Sequence, residues 1–159
     1  MKIGDAVPED EPAASVVIRL AHIVDALPAD FETLRQEARA EGYNFVERLA
    51  AGWASGETRF DKDGEAVLAA YIGPELAAIG GLTVDPVIPD ALRMRRFYVR
   101  KRYRRSGIGR RLVAALLERA AQTGRPVMVN AGPGSVPFWE ALGFVSDARD
   151  NHTHMLKRG

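Results

Sequence analysis

The chain of 159 residues contains no cysteine, which excludes disulfide bonds, zinc–thiolate sites and a cysteine nucleophile. Long apolar runs are also lacking, because stretches such as AVLAAYI fall far short of the ~20 residues that cross a bilayer. The amino terminus carries acids and prolines where a secretory signal has a basic start and an apolar core. We therefore expect a cytoplasmic protein that binds no membrane.

Net charge is small as well, since 22 basic and 21 acidic residues leave a formal charge of +1. Nothing in this balance requires a nucleic-acid partner. The charge is unevenly distributed, however, because ten of the nineteen residues from Arg93 to Arg111 are Arg or Lys. With 47% apolar residues the chain can bury a full core, which predicts one domain over residues 1–159 with a loose tail at residues 1–14.

The hydrophobic period changes several times along the chain. Apolar and β-branched runs predict strands, and apolar residues recurring every three to four positions predict helices. The predicted strands lie in residues 15–23, 65–72, 76–84, 91–99, 124–132 and 153–157, and the predicted helices in 27–42, 45–53, 108–120 and 135–144. This order favours an α+β (mixed α/β) fold around one sheet, with antiparallel strands in its middle. Gly80 and Gly81 interrupt a central strand, which indicates a bulge or the close approach of a ligand.

The stretch RRSGIGRR places Gly107 and Gly109 where the longest predicted helix begins. The first amides of a helix have no partners within it, and the helix dipole adds partial positive charge at that end. Two residues without a β-carbon would let an anion approach this backbone, with Arg104, Arg105 and Arg110 at its rim. The plainer interpretation is a turn within a solvated arginine surface.

Three motifs in order resemble the GNAT superfamily of acyl-CoA-dependent N-acyltransferases. Arg104 to Gly109 fit the family signature R/Q-x-x-G-x-G/A, and FYV at residues 97–99 is similar to its aromatic-aromatic-valine strand end. Asn130 followed by FWEALGF resembles the family's Asn and FYEKLGF box. The resemblance runs from about residue 15 to residue 157. It implies one central, mostly antiparallel sheet flanked by helices, with two strands splayed to admit acyl-CoA.

The resemblance also implies an activity and a set of binding residues. The activity is transfer of the acetyl group of acetyl-CoA to a small-molecule amine by direct attack, without a metal, and dimers are common in the family, so a homodimer is a candidate assembly. The backbone of residues 105–110 would hold the CoA pyrophosphate, the strand end would pair with the pantetheine arm, and a later segment would close the other side. The implied cofactor-binding residues are Phe97, Tyr98, Val99, Arg104, Arg105, Ser106, Gly107, Ile108, Gly109, Arg110, Asn130, Ser135, Phe138 and Trp139.

Two positions depart from the family pattern. Trp139 stands where many members have the tyrosine that protonates the leaving thiolate, and an indole cannot supply a proton. Arg93 stands where some members have a catalytic glutamate, and a guanidinium stays charged. We take Tyr103, Glu41 and Arg93 as the catalytic candidates. Tyr98 and Ser135 are further candidates for the acid, and Glu47, Glu57 and Asp61 are further candidates for a base that acts through water.

Arg93 also bears on the acceptor. If it borders the reaction centre, its permanent charge favours a small amine that brings its own acidic group. The alternative is an arginine that points to solvent from the sheet.

Other functions remain open at this point. The arginines interleaved with Phe97, Tyr98 and Tyr103 could bind a nucleic acid by charge and stacking. A GNAT-like domain could instead sense acyl-CoA without turnover. His152 and His154 have the spacing of a metal pair on a strand, but no further ligands accompany them, so we expect no metal.

Overall fold

The computed structural model describes residues 17–157, so the predicted tail at residues 1–14 lies outside the described residues. Within these residues, seven strands and four helices follow one another. In order they are β1 (Ile18–His22), α1 (Phe31–Ala40), α2 (Phe45–Ser55), β2 (Ala66–Ile72), β3 (Glu75–Val84), β4 (Leu92–Val99), α3 (Ile108–Thr123), β5 (Val127–Val129), α4 (Val136–Ala141), β6 (Val145–Arg149) and β7 (His152–Leu156), with one 3-10 turn at Lys101–Tyr103.

All seven strands belong to a single sheet of order β1-β2-β3-β4-β5-β7-β6. Every neighbouring pair is antiparallel except β4 and β5, which run parallel and are joined through α3. The predicted fold class, α+β with one mostly antiparallel sheet flanked by helices, is confirmed.

Helices cover both faces of the sheet. Ile108, Leu112 and Leu116 of α3 are buried in one hydrophobic cluster together with Trp139 of α4. Helices α1 and α2 bury a second cluster on the other face. Strands β2 and β3 lie between the two layers, which explains why their sequences read as continuous apolar runs rather than as alternating ones.

Strand β6 was not predicted. Its five residues are mostly exposed at the edge of the sheet, so they carry no apolar alternation for a periodicity argument to detect. Asp150 and Asn151 join it to β7 with φ of 50° and 67°. A two-residue turn with φ > 0 at both positions is the connection that fits a twisted hairpin, and the Asp-Asn pair was the signal available in the sequence.

The predicted bulge lies in the strand beside the two glycines. Between the Ile79–Tyr98 and Gly81–Arg95 pairs, β4 has one residue more than β3, so Arg96 and Phe97 both stand opposite Gly80. Gly80 and Gly81 themselves make room for two aromatic rings. A Cβ at Gly80 would lie 2.5 Å from the Phe97 ring, and one at Gly81 would lie 2.5 Å from the ring of Phe60.

Gly81→Ala should therefore destabilise the fold. Phe60 is buried beneath α1 and α2 and cannot move away without disturbing its neighbours. Overpacking of this kind costs about 1–3 kcal/mol, which is several degrees in melting temperature for a chain of this length. Gly132→Ala is the matched control, because nothing lies within 4 Å of its added carbon. Equal melting temperatures for the two variants would contradict the assigned contact.

Candidate active site

The sheet opens between β4 and β5. The two strands pair only at Leu92–Val127, Arg93–Met128 and Met94–Val129. β5 ends there, whereas β4 continues from Arg95 to Val99 with no partner on that side. The predicted splay is thus present, and it leaves an unpaired strand edge whose backbone groups can bond to a ligand. The bulge at Arg96 begins where the pairing stops, and bulges increase the local twist of a strand.

A loop with unpartnered amides stands beside the end of β4. Gly107 is the N-cap of α3 with φ of 86°, and Arg105 has φ of 66°. The amides of residues 105–110 donate to no acceptor in the part of the chain that the structure describes, whereas Arg111 N–H already bonds to Gly107 O at 3.0 Å. Successive free amides at the start of a sixteen-residue helix form a concavity of partial positive charge.

Gly109 allows the walls of this region to meet. A Cβ at Gly109 would lie 3.5 Å from both the Phe138 ring and Val99 Cγ2, so the first turn of α3 packs closely on α4 and on the end of β4. Ser106 Oγ donates to Tyr103 O and stabilises the turn that leads into the helix. The Ile108 side chain is buried in the core, which leaves only its backbone for a ligand.

An aromatic cluster packs between α4 and the end of β4. Trp139, only 5% exposed, packs edge-on against Phe97 at 5.4 Å and Phe144 at 5.3 Å between ring centroids, and Phe138 lies at 5.0 Å. Trp139 can shape this pocket, but its indole cannot act as a proton donor.

Helix α1 is anchored to the end of β4 by two arginine–glutamate pairs. Arg100 donates from Nε and one amino group to Glu37 at 3.0 and 2.8 Å, and Arg104 donates to both oxygens of Glu41 at 3.2 and 2.6 Å. Glu37 and Glu41 are four residues apart and therefore lie on the same side of the helix end. Arg104 Nε also donates to Val99 O at 2.8 Å, which couples α1 to the loop before α3.

Glu41 is a poor candidate for the base in this setting. The hydrogen bond from Arg104 lowers the pKa of Glu41, and the Tyr98 hydroxyl donates to the same carboxylate at 2.7 Å. Burial and the contact with Glu41 raise the pKa of Tyr98, so that phenol stays protonated. Glu41 instead holds Arg104 and Tyr98 in place.

The structure does not support Tyr103 as the acid. Its hydroxyl donates to Glu75 at the start of β3, and β3 flanks β4 on the side away from β5. Burial and this bond raise the pKa of Tyr103. The hydroxyl therefore does not face the opening.

The structure does not favour Arg93 as a free charge for the acceptor, because its guanidinium is already engaged. Arg93 is 7% exposed and lies in the paired part of β4. Its Nε donates to Asp85 Oδ2 at 3.0 Å, and its two amino groups donate to Asn151 O and Asp150 O at 3.0 and 3.2 Å. With every nitrogen engaged, Arg93 ties β4 to the β6–β7 turn.

The remaining candidates are scattered. Asn130 is exposed directly after β5, Arg110 is exposed on α3, and Ser135 Oγ donates to Gly132 O at 2.8 Å. Glu47 lies on α2, where bonds from Arg35 and Arg39 hold its pKa at about 2. Glu57 and Asp61 lie in the segment between α2 and β2.

Arg95 and Arg96 were not singled out in the sequence analysis. Both are half-buried at the bulge, next to the opening. The sequence contained a signal for the bulge. Leu92 and Met94 are core residues two positions apart, but the next core residue of β4, Phe97, follows three positions later. This slip of one residue is what a bulge produces.

The two histidines have separate carboxylate partners. His152 Nε2 lies 2.8 Å from Asp147 Oδ2, and His154 Nε2 lies 2.9 Å from Glu140 Oε2. Among residues 17–157, no three histidine or carboxylate side chains lie together as a metal site requires. In the same range, no helix is both long and apolar enough to cross a membrane.

Comparisons with known proteins agree with this geometry. The family model described as acetyltransferase (GNAT) domain matches residues 32–155. The structure of a candidate acetyltransferase from Exiguobacterium sp. 255-15 is similar with a TM-score of 0.80 at 25% identity, over 89% of this chain and 93% of that one. The PaiA N-acetyltransferase of Thermoplasma acidophilum, solved with coenzyme A, is similar with a TM-score of 0.64 at 18% identity, over 90% and 99% of the two chains.

No curated protein matches the sequence. The family model nevertheless spans most of the chain, and both structures share its fold over nearly their whole length. The chain belongs to the GNAT family of acyl-CoA-dependent acetyltransferases.

Proposed function

We propose that this protein transfers the acetyl group of acetyl-CoA to the primary amine of a small molecule. The observation that carries the proposal is the set of free amides at residues 105–110, adjacent to the unpaired edge of β4. The loop amides would bind the pyrophosphate, and the strand edge would form hydrogen bonds with the pantetheine amides.

The residues present fit acetyl-CoA. A pyrophosphate needs several donors and positive charge, which the loop amides and the exposed Arg105 and Arg110 offer. Arg104 is paired with Glu41 and contributes by supporting the loop. Asn130 directly follows β5, and Ser135 is the N-cap of α4, so we assign both to the side of the opening that β4 does not form.

The reaction follows from a thioester held in this opening. The bound cofactor supplies an activated acetyl carbonyl, the amine nitrogen forms a bond to its carbon, and the bond to sulfur breaks. Backbone N–H groups of β4 beyond Met94 can polarise the carbonyl oxygen. The proton lost by the amine passes to water, and the CoA thiolate leaves without a dedicated acid.

Acetyl-CoA should stabilise the protein, because it binds only the folded state. At one hundred times its dissociation constant the gain is ~2.7 kcal/mol, which is several degrees in melting temperature. Gly107→Val should reduce this shift strongly, since its side chain would enter the amide concavity. Thermal unfolding with and without acetyl-CoA measures the effect.

Gly124→Val provides the matched control. Gly124 caps the other end of α3 with φ of 73°, and a Cβ at either glycine meets nothing within 4 Å. Both variants thus carry similar backbone strain, and only the one at Gly107 touches the proposed site. Full acetyl-CoA shifts in both variants would overturn the cofactor assignment.

Trp139→Phe should retain most of kcat, because the indole shapes the pocket and transfers no proton. The measurement is release of free CoA thiol across a panel of amines. A loss of about a hundredfold or more in kcat at unchanged acetyl-CoA affinity would contradict this prediction and indicate that the indole N–H orients the sulfur.

Stabilisation by acetyl-CoA without thiol release on any amine would favour a sensor over an enzyme.

A further inference from the structure

The bulge in β4 holds a strained arginine beside the opening. Arg96 has φ of 63°, a conformation that L-residues with long side chains rarely adopt. Such strain persists only where the surrounding structure enforces it, often at functional sites. Arg95 precedes it directly.

A third arginine, Arg48, belongs to the helical layer that covers this part of the sheet. Arg95 pairs with Gly81. The ring of Phe60, which belongs to the α1/α2 cluster, packs against Gly81 on that face of the sheet. Arg48 extends from α2, the helix that packs on β4. Burial, followed by the charges of Arg95 and Arg48, lowers the pKa of Arg96 to about 10. Burial and neighbouring arginines lower the pKa of Arg95 as well.

No carboxylate of the described chain lies within 4.0 Å of the guanidinium groups of Arg48, Arg95 or Arg96. The nearby acids are already engaged. Asp85 accepts from Val87 N–H, Ile88 N–H and Arg93. Glu65 accepts from the backbone N–H groups of Lys62 and Val84.

This lack of partners contrasts with Arg93, Arg100 and Arg104 of the same stretch, each of which has a carboxylate. Three mutually repelling cations, two of them half-buried, are costly for the free protein. An anion bound among them would offset that cost, and a guanidinium binds a carboxylate or phosphate through two parallel hydrogen bonds.

We propose that Arg48, Arg95 and Arg96 bind an anionic group carried by the acceptor amine. This inference rests on the proposed function. Arg96 is only two residues past Met94, the last residue of β4 that pairs with β5, so an anion bound there would lie beside the opening in which the amine attacks. The substrate class is a small primary amine with a carboxylate or phosphate a few bonds from its nitrogen.

The test compares acceptors that differ only in charge. Free amino acids, their amides, the corresponding decarboxylated amines and an aminoalkyl phosphate are offered with acetyl-CoA, and thiol release is followed. The wild type should prefer the anionic acceptors. Comparison of the carboxylates with the aminoalkyl phosphate identifies which anion the site takes.

The variants are Arg95→Gln and Arg96→Gln, with Arg119→Gln on the exposed side of α3 as the control. Loss of a charge-assisted pair should lower kcat/KM for an anionic acceptor about tenfold to a hundredfold and leave the matched amide nearly unchanged. Arg96→Lys should recover part of the loss. A wild type that prefers neutral or cationic amines, or a uniform loss on all acceptors, overturns the proposal.

A binding experiment keeps the proposal testable even without turnover. Inorganic phosphate, added after saturating acetyl-CoA has filled the loop at residues 105–110, should raise the melting temperature of the wild type and of Arg119→Gln, but not of Arg96→Gln. Equal phosphate shifts in all three, or none in the wild type, contradict an anion site at the bulge. An acetyl-CoA shift that persists in every variant shows that the cofactor assignment stands independently of this result.

Discussion

The separation of β4 from β5 is the feature on which the rest of the site depends. Three residue pairs join the strands, and beyond Met94 the edge of β4 is free. An extra residue at Arg96 changes the twist of β4 at this point, and Gly80 on the neighbouring strand leaves room for the Phe97 ring that the bulge brings in. The same local irregularity therefore opens the sheet, exposes backbone donors and presents two arginines to the α1/α2 face.

The arginines of the basic stretch from Arg93 to Arg111 differ in whether they have a carboxylate partner. Arg93, Arg100 and Arg104 are ion-paired and hold neighbouring elements on β4. Arg95 and Arg96 have no carboxylate partner within the described residues and flank the opening. The carboxylate partners of Arg93, Arg100 and Arg104 offset the charge of these three arginines within the fold.

The fold and the start of α3 at the glycine-rich loop could be predicted because their signals are local. Helix periods, apolar strand runs and the glycines at 107 and 109 each act within a few residues of the chain. β6 was not predicted, because an exposed edge strand needs no apolar pattern. The partners of Arg93 could not be predicted, because counting along a strand cannot reveal Asp85 or the β6–β7 turn, which approach from elsewhere in the fold. The arginine cluster depends on a bulge in β4 and on the packing of α2. The sequence showed only the one-residue shift in the core positions of β4.

The most direct test of the account is residue-resolved amide hydrogen exchange with and without acetyl-CoA. The amides of residues 105–110 have no acceptor in the described chain, so they should exchange without unfolding in the free protein. Saturating acetyl-CoA should slow them markedly, while the amide of Gly124 at the far end of α3, already bonded to Ala121 O, changes only with global stability. Unchanged exchange at residues 105–110 in the presence of bound acetyl-CoA would contradict the account.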